Sequence, residues 1–322
     1  MSMRKYIKKK LRASDTGQHV MLMLRPIREK TELLLESDLR YIQHNYRQRF
    51  GEDIDLVNPK TYGEKLQWLK LFYRDPDMPI CSDKYRIREF LKKKNLEWLS
   101  NDVIGVYKNA NEIPFDELPE RFAAKATHGS GWNLICENKA ELNWPSSVRI
   151  MNDWLKCNLF VFGREWNYKE IEPRILVEKY IDHKPLNDYK YMCFNGEPLY
   201  MQLNNDFEGT HYVDFYDLKT WTHLPVTYMR YKRSERDLEK PQNYEKMMDL
   251  ARELSAQFPF VRVDFYSFDE TVILGELTFF PGAGLWPYIP REKGYDTIIG
   301  SALSLPEPNY NLELYEQLHK KK

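Results

Sequence analysis

Two acidic residues near the C-terminal end of the sequence are spaced so that they could hold a metal ion. Val261–Tyr266 and Thr271–Phe280 flank a turn near Glu270, a pattern typical of a β-hairpin. This register places Asp264 opposite Glu276, with Cβ atoms roughly 4.5–5.5 Å apart. Facing like charges destabilise a sheet unless they are neutralised, and Mg²⁺ favours carboxylates together with phosphate oxygens. The pair therefore suggests a magnesium site.

The same hairpin also has an ordinary interpretation. Strand alternation gives Arg262 and Tyr266 the same face as Asp264, and it predicts a shared face for Leu274, Glu276 and Thr278. Arg262 could then simply screen the acids on a solvent-facing strand pair. On this feature alone, the ordinary interpretation is favoured.

A lysine beside a glycine-rich turn is the second candidate feature. Phe122–Ala126 is predicted to be a short strand, and the turn His128-Gly129-Ser130-Gly131 follows it. Backbone N–H groups of such a turn can cover phosphates, and Lys125 would add a positive charge. An ordinary hairpin needs glycine as well, so the turn alone is weak support for a phosphate site.

The third candidate feature is the end of an apolar strand at Ile175–Ile181. Its last residues, Glu178-Lys179-Tyr180-Ile181, could form a hinge that reads adenine through the backbone, and Asp188 could reach a ribose hydroxyl. Taken alone, a plain strand end followed by a solvated loop is favoured.

Periodic patterns predict the elements that must position these residues. Thr61 and Glu64 form a predicted capping box at the start of one helix. Further helices are predicted over Leu33–Tyr46, Ser82–Lys94, Val148–Leu159 and Tyr244–Gln257. Further strands are predicted over Val103–Val106, Trp132–Cys136, Tyr189–Asn195, Pro198–Leu203 and Tyr212–Tyr216. The order is helices, then a small mixed unit, then a larger mixed unit, without internal repeats.

Composition excludes several classes of protein. The chain has 322 residues with 48 basic and 48 acidic side chains, so its net charge indicates neither nucleic acid nor membrane binding. Its four cysteines lack paired spacing, which predicts free thiols in a reducing compartment, and no histidine spacing suggests zinc. We expect a cytoplasmic protein with no signal peptide and no membrane span.

The N-terminus carries a cluster of basic residues. A solvated helix end is favoured there over weak contact with an anionic membrane surface. The basic residues are Arg4, Lys5, Lys8, Lys9, Lys10 and Arg12.

Six segments between Asn58 and Leu305, taken together and in order, resemble the ATP-grasp superfamily, and most closely its TupA-like (teichuronopeptide-biosynthesis) branch. They are NPKTYGEKLQWLK, SDKYRIREFL, AAKATHGSGWN, ILVEKYID, NDYKYMCFNG and VRVDFY…GELTFFPGAG. The resemblance implies an α+β ATP-grasp fold, in which two α+β subdomains clasp ATP, with a helical N-terminal region. The implied domains are a helical part (1–110), a small subdomain with the phosphate loop (111–182), a large subdomain with the metal site (183–305) and a tail (306–322).

The resemblance also implies roles for single residues. Asp264 and Glu276 would bind metal with Thr278, which stands where many members have Asn, so a second metal ion is left open. Arg262 and Lys125 would contact the transferred phosphate, and the Pro281-Gly282 turn would face the acyl group. The implied nucleotide-binding residues are Lys84, Lys125, His128, Gly129, Ser130, Gly131, Glu178, Lys179, Tyr180, Ile181 and Asp188; Lys190 is either a third phosphate contact or specific to this branch.

The activity implied is that of an ATP- and Mg²⁺-dependent, ADP-forming carboxylate–amine ligase. It would join a sugar carboxylate, such as a uronic acid, to an amino acid or other amine through an acylphosphate, alongside other enzymes of surface (capsule) polysaccharide biosynthesis. The alternatives are a glycosyltransferase that uses Asp75-Pro76-Asp77, a sugar kinase on an ATP-grasp core, and a non-catalytic scaffold.

Overall fold

The computed structural model describes residues 36–183, 187–207 and 209–320. The basic N-terminal cluster and the first residues of the predicted helix, Leu33–Leu35, lie outside this part of the chain. Within it, no helix combines the length and the apolar character needed to cross a membrane.

Nine α-helices occur in the described residues. Thr61 caps α2, and the predicted capping box with Glu64 is confirmed because both reciprocal hydrogen bonds are present. The helices are α1 (Asp38–Phe50), α2 (Tyr62–Phe72), α3 (Asp77–Ser82), α4 (Ile87–Lys93), α5 (Trp144–Trp154), α6 (Phe160–Gly163), α7 (Tyr244–Ser255), α8 (Tyr295–Ser301) and α9 (Leu312–His319).

The chain divides into two compact units, each with its own sheet. Among the described residues, unit 1 holds 36–37, 82–90 and 101–182, and unit 2 holds 38–81, 91–100 and those from 183 onward. The domain boundaries implied by the family resemblance remain a prediction.

Unit 1 is built on a four-stranded antiparallel sheet with the order β1-β4-β2-β3. Met151 and Trp154 of α5 pack with buried residues of the central strands, including Phe122 and Val177. The core therefore fixes the two strands that carry Lys125 and Glu178. The strands are β1 (Val103–Tyr107), β2 (Phe122–Ala126), β3 (Asn133–Cys136) and β4 (Ile175–Lys179).

Unit 2 is built on a six-stranded antiparallel sheet with the order β11-β10-β5-β6-β7-β8. The amphipathic helix α7 contacts β5, β6 and β10. The strands are β5 (Asn187–Phe194), β6 (Glu197–Phe207), β7 (Thr210–Asp217), β8 (Thr222–His223), β10 (Phe260–Phe268) and β11 (Thr271–Thr278). A separate pair joins β9 (Thr227–Tyr228) to β12 (Tyr288–Ile289).

Each helix predicted with stated bounds has different ends in the structure; α1 covers Asp38–Phe50 and α7 ends at Ser255. The other two differ for local reasons. The prediction over Ser82–Lys94 is wrong in its first turn, because the Asp83 carboxylate accepts hydrogen bonds from the backbone N–H groups of Tyr85 and Arg86, and α4 begins only at Ile87. The prediction over Val148–Leu159 lies too far along the chain. Asn143 caps α5 through the N–H of Ser146, so this helix starts and ends earlier.

The predicted register of the hairpin is confirmed, but the predicted sheet face of Leu274 is wrong. Asp264 does pair with Glu276, whereas Leu274 pairs with Phe265, so Leu274 does not share the face of Glu276. A bulge at Gly275 shifts the alternation by one residue. Glycine suits this position, because a Cβ there would lie only 3.2 Å from the backbone oxygen of Asp264.

Candidate functional site

Unit 2 concentrates charged side chains on one face of its sheet. Asp264 of β10 pairs with Glu276 of β11 on one side and with Lys190 of β5 on the other. Residues directly opposite each other in antiparallel strands share a face, so these three side chains stand in a row. Together with Asp188 and Arg262, they form what we call the unit 2 ionic cluster.

Asp264 lies at the centre of this cluster and is 2% exposed. Arg262 donates to both of its carboxylate oxygens, Nε to Oδ1 at 2.7 Å and Nη2 to Oδ2 at 2.6 Å. Lys190 Nζ donates to Oδ2 at 2.9 Å and also pairs with Asp188. A buried carboxylate needs such compensation, and this one receives three charge-assisted hydrogen bonds.

Glu276 is the more accessible acid, because its side chain is one-third exposed. Its Oε1 accepts a hydrogen bond from the Thr278 hydroxyl at 2.9 Å and from Arg262 Nη2 at 3.3 Å. Thr278, predicted as a metal ligand, therefore orients Glu276 in this structure.

Burial and pairing act in opposite directions on the pKa values of this cluster. Burial is the largest single influence and lowers the pKa values of Arg262 and Lys190, but the neighbouring acids, Asp264 foremost, together outweigh it and raise the pKa of both bases. Burial also raises the pKa of Asp188, and Lys190 only partly offsets that rise. Both bases therefore remain cationic at neutral pH.

The donor set of this face fits a divalent cation. Three acids and two bases leave the cluster with a formal charge of −1. A carboxylate offers about four acceptor positions, so Asp264 keeps about one beyond its three hydrogen bonds. The described residues contain no group of three or more His, Cys, Asp or Glu side chains arranged for a metal. Asp264, Glu276 and Thr278 would therefore need further oxygens, such as phosphate, which suits Mg²⁺.

Unit 1 holds a second, differently charged group of side chains. Lys125 Nζ and Arg88 Nη2 each donate to one carboxylate oxygen of Glu178 at 2.8 Å. The Glu178 side chain is 7% exposed, whereas those of Lys125 and Arg88 are 21% and 22% exposed. These three residues form the unit 1 ionic cluster, with a formal charge of +1.

Sequence reasoning missed Arg88, which also donates to the backbone oxygens of Lys84 and Asn101. The available signal was its spacing, because Arg88 follows Lys84 by four residues in a segment already singled out. Arg88 therefore links the backbone of Lys84 to the carboxylate of Glu178.

Most polar groups of the predicted adenine hinge already form hydrogen bonds within unit 1. Besides the pairing of the Glu178 carboxylate, the backbone N–H of Lys179 donates to Asp102, and its carbonyl accepts from the Asn101 side chain. The Tyr180 hydroxyl donates to Glu137 at 3.3 Å. Any hinge contact to a base would therefore fall to the backbone of Tyr180 and Ile181.

The predicted phosphate loop divides into a buried and an exposed half. His128 and Gly129 are buried, while Ser130 and Gly131 are exposed. Lys84 Nζ donates to the carbonyl oxygen of Gly129 at 2.6 Å. A Cβ at Gly129 would lie 2.1 Å from the Trp132 ring, so glycine is required there. Only the Ser130–Gly131 half is accessible to a ligand.

His128 does not present its ring to solvent. Its Nε2 lies 3.0 Å from the backbone oxygen of Trp154, and burial lowers the pKa of the imidazole. The ring is therefore neutral at neutral pH, and the positive charge near this loop comes from lysine.

The predicted acyl-group turn at Pro281–Gly284 has three residues with positive φ: Gly282 at +58°, Ala283 at +56° and Gly284 at +62°. Helix α2 holds this turn, because Gln67 donates to the carbonyl oxygens of Ala283 and Gly284, and Lys70 donates to that of Ala283 at 2.6 Å. The two side chains are almost fully buried, which gives the turn a fixed conformation.

The aspartates of the predicted glycosyltransferase motif are engaged locally. Asp75 accepts a hydrogen bond from the backbone N–H of Asp77 at the start of α3. Asp77 in turn accepts from Lys93 at 3.0 Å and from Gln257 at 3.1 Å. These contacts are those of a helix start and its neighbours.

Comparison with known proteins identifies the family. A sequence model of the "TupA-like ATPgrasp" family matches residues 64–304, which is most of the chain. No curated protein matches.

Several solved structures resemble the chain distantly. A D-alanine-D-alanine ligase from Helicobacter pylori has 12% identity and a TM-score of 0.38, with 76% of this chain and 70% of that chain covered. An ATP complex of the Bacillus anthracis ligase has 15% identity and a TM-score of 0.39, with 75% and 68% covered. N5-carboxyaminoimidazole synthase from Aspergillus clavatus has 12% identity and a TM-score of 0.33, with 62% and 44% covered. Scores this low support no functional conclusion.

The family match spans both ionic clusters, the predicted phosphate loop and the Gly282 turn. ATP is the nucleotide of this superfamily. The chain therefore belongs to the TupA-like ATP-grasp family and is an ATP-dependent ligase with an α+β, ATP-grasp fold.

Proposed function

We propose that this ligase joins a carboxylate to an amine and forms an amide with release of ADP and phosphate. The proposed acid is a sugar carboxylate such as a uronic acid, the proposed amine is an amino acid or similar compound, and the product belongs to surface polysaccharide biosynthesis in the cytoplasm. The family match supports the ATP-dependent ligase reaction. The sugar substrate and the pathway rest on the resemblance alone.

The observation that carries the reaction class is the charge pattern of the unit 2 ionic cluster. Asp264 is buried between two cations, while Glu276 remains one-third exposed beside them. Such a face can bind a phosphate-bound divalent cation through its acids and phosphate oxygens through its bases. Phosphoryl transfer depends mainly on this kind of charge placement.

In the proposed reaction, the carboxylate attacks the γ-phosphorus of ATP, and ADP leaves. The amine then attacks the acyl carbon of the resulting acylphosphate, loses a proton and displaces inorganic phosphate. Arg262 and Lys125 would bind the oxygens on which negative charge accumulates, and backbone N–H groups at Gly282 would face the acyl oxygen. Mg²⁺ held by Asp264, Glu276 and Thr278 would neutralise phosphate charge.

The proposed nucleotide contacts are those that the family resemblance implies. Lys84, Lys125 and the Ser130–Gly131 backbone would bind phosphates. The end of β4 would bind adenine, and Asp188 and Lys190 would bind ribose and phosphate. No side-chain nucleophile is required, because the substrate carboxylate performs the attack.

The test measures ADP release with a panel of uronic acids, with and without amines. The proposal predicts release that depends on both, together with an amide product detectable by mass spectrometry. Release with a sugar alone and a stable phosphosugar product would indicate a kinase. Turnover of sugar nucleotides without ATP consumption would contradict the proposal.

A further inference from the structure

The polar sheet face that carries the unit 2 ionic cluster continues onto β6. Gln202 of β6 pairs directly with Lys190 on one side and with Phe215 on the other. Opposite residues share a face, with Cβ atoms about 4.5–5.5 Å apart. Gln202 therefore extends the row formed by Glu276, Asp264 and Lys190.

One polar atom of Gln202 lacks a partner. The side chain is 3% exposed, and its Nε2 donates to Asn204 Oδ1 at 2.9 Å. Its Oε1 is buried and has no hydrogen-bond partner among the described residues. A buried acceptor that makes no hydrogen bond destabilises the protein, so its presence calls for an explanation.

The surroundings of this oxygen limit what it can bind. Asn204 orients the Gln202 amide by accepting from Nε2, and Asn204 is itself partly exposed, so the pair of amides reaches the surface of unit 2. An amide oxygen only accepts hydrogen bonds. A fully ionised phosphate or carboxylate carries only acceptors, so neither can form a hydrogen bond with Gln202 Oε1.

We propose that Gln202 binds one of the two substrates other than ATP, either the carboxylate or the amine. Its Oε1 would accept a hydrogen bond from an N–H or O–H group of that substrate. This inference rests on the proposed function. The donor belongs either to the amine or to a hydroxyl of the carboxylate substrate. Lys190, paired with Gln202, is a proposed phosphate contact, so a donor bound by Gln202 would lie beside the transferred phosphate.

The test is the substitution Gln202→Met, which keeps the side-chain length and removes the acceptor. ADP release is measured while one substrate is varied and the others are saturating. The KM for the amine or for the acid should rise about tenfold, and the KM for ATP should stay within about twofold. The substrate whose KM rises is the source of the donor.

A stability measurement separates binding from a structural role and needs no substrate. Gln202→Met should unfold at the same temperature as the wild type or higher, because the unpaired oxygen is lost. Asn204→Ala should weaken binding less than Gln202→Met, and Asn204→Asp should preserve it, because the acceptor for Nε2 is kept. Gln257→Met is the matched control, since that exposed amide pairs with Asp77.

Several results would overturn the role of Gln202. These are unchanged KM values for all substrates, an increase confined to ATP, or unfolding several degrees lower in Gln202→Met. Failure of the proposed function looks different, because the wild type would then release ADP without an amine. In that case, the KM for the compound that supports ADP release is compared between the wild type and Gln202→Met. This comparison still decides whether Gln202 binds that compound.

Discussion

The two ionic clusters differ in sign and in which member is accessible. In unit 1, two partly exposed bases enclose the buried acid Glu178. In unit 2, two buried bases hold the buried acid Asp264, and the accessible members are two further acids, Glu276 and Asp188. A phosphate would meet cations in unit 1, whereas a metal ion would meet a carboxylate in unit 2. Through burial, similar residue types thus expose charges of opposite sign.

The largest expected effect comes from Asp264→Asn. It leaves Arg262 and Lys190 buried without their shared partner, so we expect a loss of about 3–5 kcal/mol in the free energy of unfolding. ADP release should fall by about 10²–10³-fold or more. Denaturant unfolding and steady-state kinetics measure the two effects. The control is Asp206→Asn on the exposed part of β6, and a stable, active Asp264→Asn would remove the contrast between the clusters.

Glu276→Gln should lower the rate of ADP release with little effect on the free energy of unfolding. The side chain is one-third exposed, so the free energy of unfolding should change by less than about 0.5–1 kcal/mol. ADP release should drop about 10²-fold, and the Mg²⁺ concentration for half-maximal rate should rise. Titration of Mg²⁺ in the kinetic assay measures this. An unchanged Mg²⁺ requirement would exclude Glu276 as a metal ligand.

Lys125→Met should weaken phosphate binding while unit 1 stays folded. Glu178 keeps its hydrogen bond to Arg88, so the stability loss should be smaller than that of Asp264→Asn. We expect about 10²-fold slower ADP release. Arg88→Met is the matched variant, because it leaves Lys125 paired. Equal losses in the free energy of unfolding for Lys125→Met and Asp264→Asn would contradict the expected difference in stability between the two clusters.

The smallest effect concerns pH and His128. Burial lowers its pKa in the folded state, so the unfolded state binds the proton more readily. Stability should be complete above the unfolded pKa of about 6.5 and should fall as pH drops towards the folded pKa, by at most about 1.4 kcal/mol per pH unit. Unfolding at several pH values measures this. His128→Asn should remove the slope, and the control His211→Asn should retain it.

The sequence predicted local structure well wherever one pattern dominated. The capping box at Thr61 and the pairing of Asp264 with Glu276 were both confirmed, because each depends on residues close in sequence. The face of Leu274 was wrong, since a bulge at Gly275 breaks strict alternation. The start of α4 was wrong because Asp83 pairs with nearby backbone N–H groups in place of a first helical turn.

Partners distant in the chain could not be predicted. Glu178 pairs with Arg88 across 90 residues, and Lys190 pairs with Asp264 across 74. Neither spacing has a local periodic signature, because only the completed sheets and their flanking helix bring these groups together. The unpaired oxygen of Gln202 likewise depends on the strand register and on burial.

The contact of α2 with the Gly282 turn has a consequence for ligand polarity. The carbonyl oxygen of Gly282 accepts from the N–H of Leu285, and those of Ala283 and Gly284 accept from the α2 side chains. The N–H of Ala283 is engaged as well, since it donates to the carbonyl oxygen of Phe280. In the proposed reaction, Gln67 and Lys70 would therefore influence the acyl substrate without touching it, because carbonyl oxygens that already accept hydrogen bonds attract an ammonium group less.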